Sequence, residues 1–244
     1  MKPWPYPKWI AHRGAGKLAP ENTLAAFQLG AQYGYRMFEC DTKLSRDGVV
    51  FLMHDAELER TTNGVGIAGS LDWSHLSQLD AGSWHSPTYS GESLPTLESL
   101  AQFCISHGYF LNIEIKPTPG TEAITGSTVA DEAMRLWQGE SIPPLLTSFK
   151  TESLVAAKKT APSLPRGLLL DNLWEGWLDV ATDLECVAIV CNYKLWNKAL
   201  VETVHAQKMR CLSYTVNGQD IANSLITLGT DGIITDSVDT LGNS

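Results

Sequence analysis

Two histidines stand in polar clusters that each end an apolar run. The first is Trp9-Ile10-Ala11-His12-Arg13-Gly14 and the second is Phe51-Leu52-Met53-His54-Asp55, with Glu39-Cys40-Asp41 between them and Asn112-Ile113-Glu114-Ile115-Lys116 further on. An apolar run that closes on polar residues is the pattern of a buried strand delivering side chains to a mouth. Imidazole moves protons near neutral pH. Arginine grips a phosphate through a planar fork of donors, and glycine lets backbone approach an anion closely. Three carboxylates crowded at one mouth repel each other by a few kcal/mol per close pair, and a divalent cation removes that cost. All-oxygen ligation by Glu39, Asp41 and Glu114 suits Mg²⁺ or Ca²⁺ better than zinc. The combination describes metal-assisted phosphate chemistry. The competing reading makes the acids ordinary partners of Arg36, Lys43 and Lys116.

These residues need a scaffold that brings strand ends together. Apolar or β-branched runs at 9–12, 36–42, 49–54, 110–116, 145–148, 167–170, 187–191, 211–216 and 232–235 read as strands. Helical patterns at 23–33, 97–107, 128–138, 152–159, 174–182, 197–207 and 219–228 fill most of the gaps. Strand alternating with helix points to a parallel sheet. Only residues 44–48 separate the second and third runs, too few for a crossover helix, so those two runs form an antiparallel hairpin. Removing the third run leaves eight strands, and the expected architecture is a (β/α)₈ TIM barrel with a hairpin rising from its second strand. With Asp47-Gly48 as the turn, His54 lies opposite Asp41 and shares its face.

Residues 55–95 are rich in Gly, Ser, Thr and Asn and read as a small insertion over the barrel mouth, within one domain spanning 1–244. Ala19-Pro20-Glu21-Asn22-Thr23 reads as a helix start with Asn22 as the cap. Tyr214 and Asn192 at late strand ends are candidate ligand contacts, and Trp84 in the insertion is a candidate cover for a substrate. His75, His85, His107 and His205 lack acidic company and read as surface or packing residues.

The 244 residues carry 18 basic and 27 acidic side chains, a formal charge of −9 with no basic stripe, which argues against a nucleic-acid partner. The five cysteines are irregularly spaced without a C-x-x-C pair, the usage of free thiols in a reducing compartment. The N-terminal run holds three prolines and no apolar core, and no stretch is long and apolar enough to span a bilayer. The expected location is cytoplasmic.

Taken together, the sequence resembles the glycerophosphodiester phosphodiesterases. The matching text is His12-Arg13-Gly14, Pro20-Glu21-Asn22-Thr23, Glu39-x-Asp41, Asp47-Gly48, His54-Asp55, Arg60-Thr61-Thr62-Asn63-Gly64, Leu94-Pro95-Thr96-Leu97, Asn112-x-Glu114-x-Lys116, Thr215-Val216-Asn217 and Asp231-Gly232-Ile233-Ile234-Thr235-Asp236, in family order over nearly the whole chain. Trp4-Pro5-Tyr6-Pro7 and Asp80-Ala81-Gly82-Ser83-Trp84 are most similar to the short cytoplasmic bacterial members associated with glycerol-3-phosphate uptake. The resemblance implies hydrolysis of small glycerophosphodiesters, such as glycerophosphocholine and glycerophosphoethanolamine, to sn-glycerol 3-phosphate and an alcohol. It implies His12 as general base, His54 as general acid, and Glu39, Asp41 and Glu114 as ligands of Mg²⁺ or Ca²⁺. Arg13 and Lys116 would hold phosphate oxygens. Asn192 stands where relatives often place a histidine, and Tyr214 where many have tryptophan, so the alcohol pocket departs from the family pattern. Two alternatives are a phosphodiesterase acting on lysophospholipids and a non-catalytic barrel that binds phosphodiesters.

Overall fold

The computed structural model describes residues 3–242; Met1 and Lys2 of the proline-containing start, and Asn243 and Ser244, lie outside them. Nine strands follow in order: β1 Trp9–Ala11, β2 Met37–Leu44, β3 Val50–Leu52, β4 Phe110–Ile115, β5 Leu145–Ser148, β6 Arg166–Leu170, β7 Ala188–Asn192, β8 Arg210–Tyr214 and β9 Gly232–Thr235. All but β3 are parallel, in the order β1-β9-β8-β7-β6-β5-β4-β2. Ala11 pairs with both Phe38 of β2 and Thr235 of β9, so the sheet closes into an eight-stranded barrel. The helices are α1 Leu24–Gln32, α2 Trp73–Leu76, α3 Leu97–His107, α4 Glu122–Leu136, α5 Thr151–Thr160, α6 Trp177–Asp183, α7 Lys198–Ala206 and α8 Gln219–Leu228. Except for the single-turn α2, they stand in the crossovers, as a parallel barrel requires. Among the described residues no helix is long and apolar enough to cross a membrane.

The period of two along each strand sorts the chemistry from the packing. Ile10, Met37, Leu145, Leu169, Ala188, Val190, Leu212 and Ile234 form one buried cluster that plugs the barrel. Residues of the same parity, one or two steps closer to the C-terminal ends, are His12, Glu39, Asp41, Thr147, Tyr214 and Asp236. The inward face therefore changes from apolar to polar within one layer. Opposite parity packs outward, where Phe38, Cys40, Leu111, Ile113 and Ile115 meet α3 and α4 residues such as Leu97, Leu100 and Val129. All five cysteines are free and buried.

The hairpin forms, but its register differs from the expectation. Leu44 pairs with Val50, Lys43 with Phe51 and Thr42 with Leu52, so Met53 rather than His54 stands across from Asp41, its N–H donating to the Asp41 carbonyl at 3.0 Å. The loop has three residues, Arg46 to Gly48, closed by Ser45 N–H to the Val49 carbonyl and by the Ser45 hydroxyl to Asp47. Gly48 takes its left-handed end at φ +86°, the three-residue loop geometry rather than a two-residue turn. His54 reaches the mouth because the chain leaves the strand after Leu52.

Two other expectations shift. The helix expected at 128–138 begins at Glu122, because Gly126 inside it weakens the sequence signal. That glycine is required by packing: a Cβ there would lie 2.2 Å from the Ser153 carbonyl oxygen, so α4 and α5 touch backbone to backbone. The cap of α1 is Thr23, whose hydroxyl accepts from the Ala26 N–H; Asn22 is turned elsewhere. Between β3 and α3 the insertion covers its own cluster of Phe51, Met53, Leu58, Ala68, Leu76, Ala81 and Leu94.

The loop after β1 is pressed against the end of β9. Gly16 sits at φ +57°, and a Cβ there would lie 2.1 Å from the Asp236 carbonyl oxygen. Gly16→Ala therefore combines left-handed strain with a backbone clash, and urea unfolding should show a loss of about 3 kcal/mol or more. Gly34→Ala, at φ +90° with open space around it, should lose only about 1 kcal/mol. Equal losses in the two variants would overturn the close approach of these loops.

Candidate active site

The acids come from two neighbouring strands. Parallel pairing of β2 with β4 sets Asp41 beside Glu114, and Glu39 lies one inward step below Asp41. One oxygen of each carboxylate lies within 4.8 Å of the others. The residues are 3%, 0% and 9% exposed, and Glu39 Oε1 and Asp41 Oδ1 are buried without a hydrogen-bond partner. Arg13 Nε lies 3.0 Å from Asp41 Oδ2, and Lys116 Nζ donates to Glu114 Oε1 at 2.8 Å and lies 3.5 Å from Asp41 Oδ1.

Burial and the Asp41 charge push Glu39 up to about 8 and also raise Glu114. Burial opposes ionisation of Asp41 as well, but Arg13 and Lys116 outweigh it and hold that carboxyl below the usual range. Two acids pushed toward protonation beside a third that stays charged leave repulsion that the two cations do not cancel. Orphaned buried oxygens and an all-carboxylate donor set fit a hard divalent cation.

Each histidine is aimed by a carboxylate. His12 Nδ1 donates to Asp236 Oδ1 at 2.6 Å, and Asn217 Nδ2 steadies the other Asp236 oxygen at 3.0 Å. His54 Nδ1 donates to Asp55 Oδ1 at 2.6 Å. A donor bond from Nδ1 fixes the tautomer and leaves Nε2 for chemistry; Nε2 of His12 lies 3.7 Å from Glu39 Oε2. Burial favours a neutral His12 ring, yet the Asp236 hydrogen bond and the Glu39 charge prevail and raise it above an ordinary histidine. In His54 burial prevails, aided by Arg13 and Lys116 against the pull of Asp41, and the ring falls below the ordinary value. Asp236 and Asp55 are both held at about 2: in Asp236 the His12 bond overcomes burial, and in Asp55 the Arg60 hydrogen bond contributes most.

A second layer joins the two histidine loops. Arg60, from the insertion, donates to Glu21 through both terminal nitrogens at 2.9 and 2.8 Å and also bonds Asp55 through Nε. Glu21 accepts from Arg13 Nη1 at 2.9 Å. Asn22 bonds Asp41 twice, giving Nδ2–H to Oδ2 and taking the Asp41 N–H. Its left-handed φ of +59° turns it away from the helix cap and onto the acid.

Two adjoining cavities open here. A smaller one of about 180 Å³ is lined by His12, Arg13, Glu39, Asn112, Leu169, Tyr214 and Thr215, among others. A larger one of about 470 Å³ is lined by Lys43, Asp55, Glu57, Pro117, Ser148 and Lys150. His54, Glu114, Lys116 and Phe149 belong to both, so they form the shared wall.

The mouth thus brings together His12, Arg13, Glu39, Asp41, His54, Glu114 and Lys116. Tyr214 lines the smaller cavity, with its hydroxyl donating to the Leu170 carbonyl at 3.0 Å. Asn192 and Trp84 line neither cavity. Asn192 accepts from the Lys194 N–H in its own turn, and Trp84 Nε1 donates to the Ala81 carbonyl within the insertion. Sequence reasoning assigned no role to Asp236, Glu21, Arg60 or Phe149. Asp236 had a signal: it follows the ninth run, which closure of a barrel must set beside the first.

The sequence model of the glycerophosphoryl diester phosphodiesterase family matches residues 12–240. A glycerophosphodiester phosphodiesterase of Caldanaerobacter subterraneus is 33% identical over 239 residues, covering 96% of each chain. Among solved structures, an Oleispira antarctica phosphodiesterase, in complex with the product sn-glycerol-3-phosphate, superposes with a TM-score of 0.90 at 32% identity, covering 97% of this chain and 95% of that one. A glycerophosphodiester phosphodiesterase of Agrobacterium tumefaciens gives 0.79 at 26% identity, covering 95% and 97%. With the family match running over residues 12–240 and the acids and histidines gathered at the C-terminal mouth, this chain belongs to the glycerophosphoryl diester phosphodiesterase family and is a phosphoric diester hydrolase.

Proposed function

We propose that the protein hydrolyses small glycerophosphodiesters, such as glycerophosphocholine and glycerophosphoethanolamine, to sn-glycerol 3-phosphate and an alcohol, as a single catalytic domain acting in the cytoplasm. The observation that carries this reading is the convergence of two carboxylate-aimed histidines on three buried acids, two of which carry an orphaned oxygen. Five free, buried cysteines accord with a reducing compartment.

Glu39, Asp41 and Glu114 would hold Mg²⁺ or Ca²⁺. When bound, the ion neutralises charge growing on the phosphoryl oxygens and acidifies a nearby hydroxyl. Arg13 and Lys116 grip the remaining phosphate oxygens. In the first step His12 Nε2 takes the proton of the glycerol 2-hydroxyl as its oxygen bonds phosphorus. The bond from phosphorus to the leaving oxygen breaks, and that oxygen takes a proton from His54 Nε2. The products are the alcohol and a cyclic phosphate. In the second step His54 takes a proton from water as its oxygen bonds phosphorus, the bond from phosphorus to the 2-oxygen breaks, and His12 returns its proton to that oxygen, giving glycerol 3-phosphate. His54 stands in the wall shared by both cavities and His12 faces the smaller one alone, which supports placing the acid beside the leaving alcohol.

Without a cation the local charges push the other way, His12 upward through Asp236 and Glu39 and His54 downward through burial, Arg13 and Lys116. His12 loses part of its support once the Glu39 charge is taken up by an ion, and His54 gains support from a phosphate anion beside it.

Three outcomes follow. His12→Ala and His54→Ala should each lower turnover of glycerophosphocholine by about 10²- to 10⁴-fold with the circular dichroism unchanged. With a p-nitrophenyl ester of glycerol 3-phosphate, whose leaving group needs no proton, first-turnover release of nitrophenolate should recover in His54→Ala to within about tenfold of the parent and should not in His12→Ala. Recovery in His12→Ala instead would reverse the roles. Adding Mg²⁺ or Ca²⁺ to chelator-treated protein should raise the thermal midpoint and restore turnover, with a gain of about 3 kcal/mol at a hundredfold excess over Kd. Glu39→Gln should abolish that rise. A rise of equal size in Glu39→Gln would remove Glu39 from the ligand set.

A further inference from the structure

A phosphodiester has two alcohol arms, and the mouth has two cavities divided by the residues that would meet the phosphate. The smaller, closed in by Asn112, Leu169, Tyr214 and Thr215, suits the three-carbon glycerol arm. The larger, at about 470 Å³, has room for more than a small alcohol. Its wall holds a feature that the catalytic assignments leave unused. Lys43 is 2% exposed, and its ammonium donates to the Lys116 carbonyl at 3.0 Å. Among the described residues no carboxylate forms an ion pair with it. A buried ammonium whose hydrogen bond goes to a carbonyl has given up water without a direct ion pair, the Asp41, Glu114 and Asp55 charges acting on it only from beyond contact.

Lys150 stands in the same wall with no ion-pair partner among the described residues, and it is the cap residue of α5, whose N-terminus adds partial positive charge. The other charges of the cavity are spoken for. Lys116 pairs with Glu114 and Asp41, and Asp55 is bound by Arg60 and His54. Glu57 is exposed, on the segment that follows His54 rather than on the strand and loop that carry the two lysines. A single aromatic ring, Phe149, lines this cavity, which is too little to cage a quaternary ammonium.

The geometry points to the larger cavity as the seat of the leaving alcohol, and to an alcohol that carries an anionic group held by Lys43 and Lys150. This rests on the phosphodiester reading above and narrows it. A serine headgroup satisfies the whole wall, its carboxylate meeting the lysines and its ammonium meeting Glu57.

The test compares kcat/KM for glycerophosphoserine and glycerophosphocholine, measured by release of glycerol 3-phosphate at pH 7 with saturating Mg²⁺. The parent should prefer the serine diester by about tenfold or more. Lys150→Glu, at an exposed position where folding is not at stake, should lower the serine value, raise the choline value and so cut the ratio by about tenfold or more. Lys43→Gln should lower the serine value chiefly through KM. Equal turnover of the two diesters by the parent, or a ratio unmoved in Lys150→Glu, overturns the headgroup assignment and leaves the phosphodiesterase reading standing. No release of glycerol 3-phosphate from either diester would overturn both.

Discussion

Three carboxylates held out of water within 4.8 Å of one another are the constraint around which this barrel is organised. Charges this close and this buried repel strongly, and desolvation adds to the cost. The chain answers with Arg13 and the Asn22 amide from the loop between β1 and α1, and with Lys116 from the end of β4. Two left-handed residues, Arg13 at φ +50° and Asn22 at φ +59°, are part of that answer. Their backbone strain is tolerated because it brings a cation and an amide onto Asp41. The compensation stops short of neutrality, since Glu39 is still pushed up to about 8. A site that is stable enough to fold yet still short of positive charge is prepared for a cation and an anionic substrate bound to it.

The same economy governs the histidines. Asp236 and Asp55 take one nitrogen of each ring and leave the other without a carboxylate hydrogen bond, that of His12 lying 3.7 Å from Glu39. Asp55 is tied through Arg60 to Glu21, Glu21 to Arg13, and Arg13 back to Asp41. The acid cluster and His54 are thus connected by one chain of alternating charges that crosses from the barrel to the insertion. Alternating charges fix orientation better than isolated surface pairs do, because no member can turn without unpairing two neighbours. The insertion is thereby more than a cover, for it supplies Arg60.

Much of this was legible in the sequence because it rests on local periodicity. Strand parity alone sends Glu39 with Asp41 and Glu114 with Lys116 to one face, and the short 44–48 connection alone demands a hairpin. The β5 and β9 boundaries and those of α3 and α8 coincide with the apolar patterns. What periodicity could not supply was anything decided by a close approach between distant segments. Ser45 and Asp47 choose a three-residue loop, which shifts the register by one. Gly126 looks like a helix breaker until Ser153 is seen against it. Asn22 has the chemistry of a cap and is diverted by Asp41, which no local window contains. Asn192 and Trp84 were placed by strand-end position and aromatic character, and in the fold the Asn192 amide oxygen and the Trp84 indole N–H bond within their own loops.

The register shift carries a lesson about the larger cavity. With the expected pairing, His54 would have stood directly over Asp41, inside the acid cluster. With the pairing adopted, Met53 takes that place, packs under the insertion, and moves His54 outward into the wall between the two cavities. That displacement separates the histidines into different environments. His12 is half-buried beside Glu39 and raised by Asp236 and Glu39, whereas His54 sits where one side of its ring meets the cavity of the unpaired lysines. A proton donor for a departing alcohol belongs at such a boundary, in reach of phosphate on one side and of the leaving group on the other. A single residue in the hairpin loop therefore determines whether the second histidine sits over Asp41 or in the wall between the two cavities.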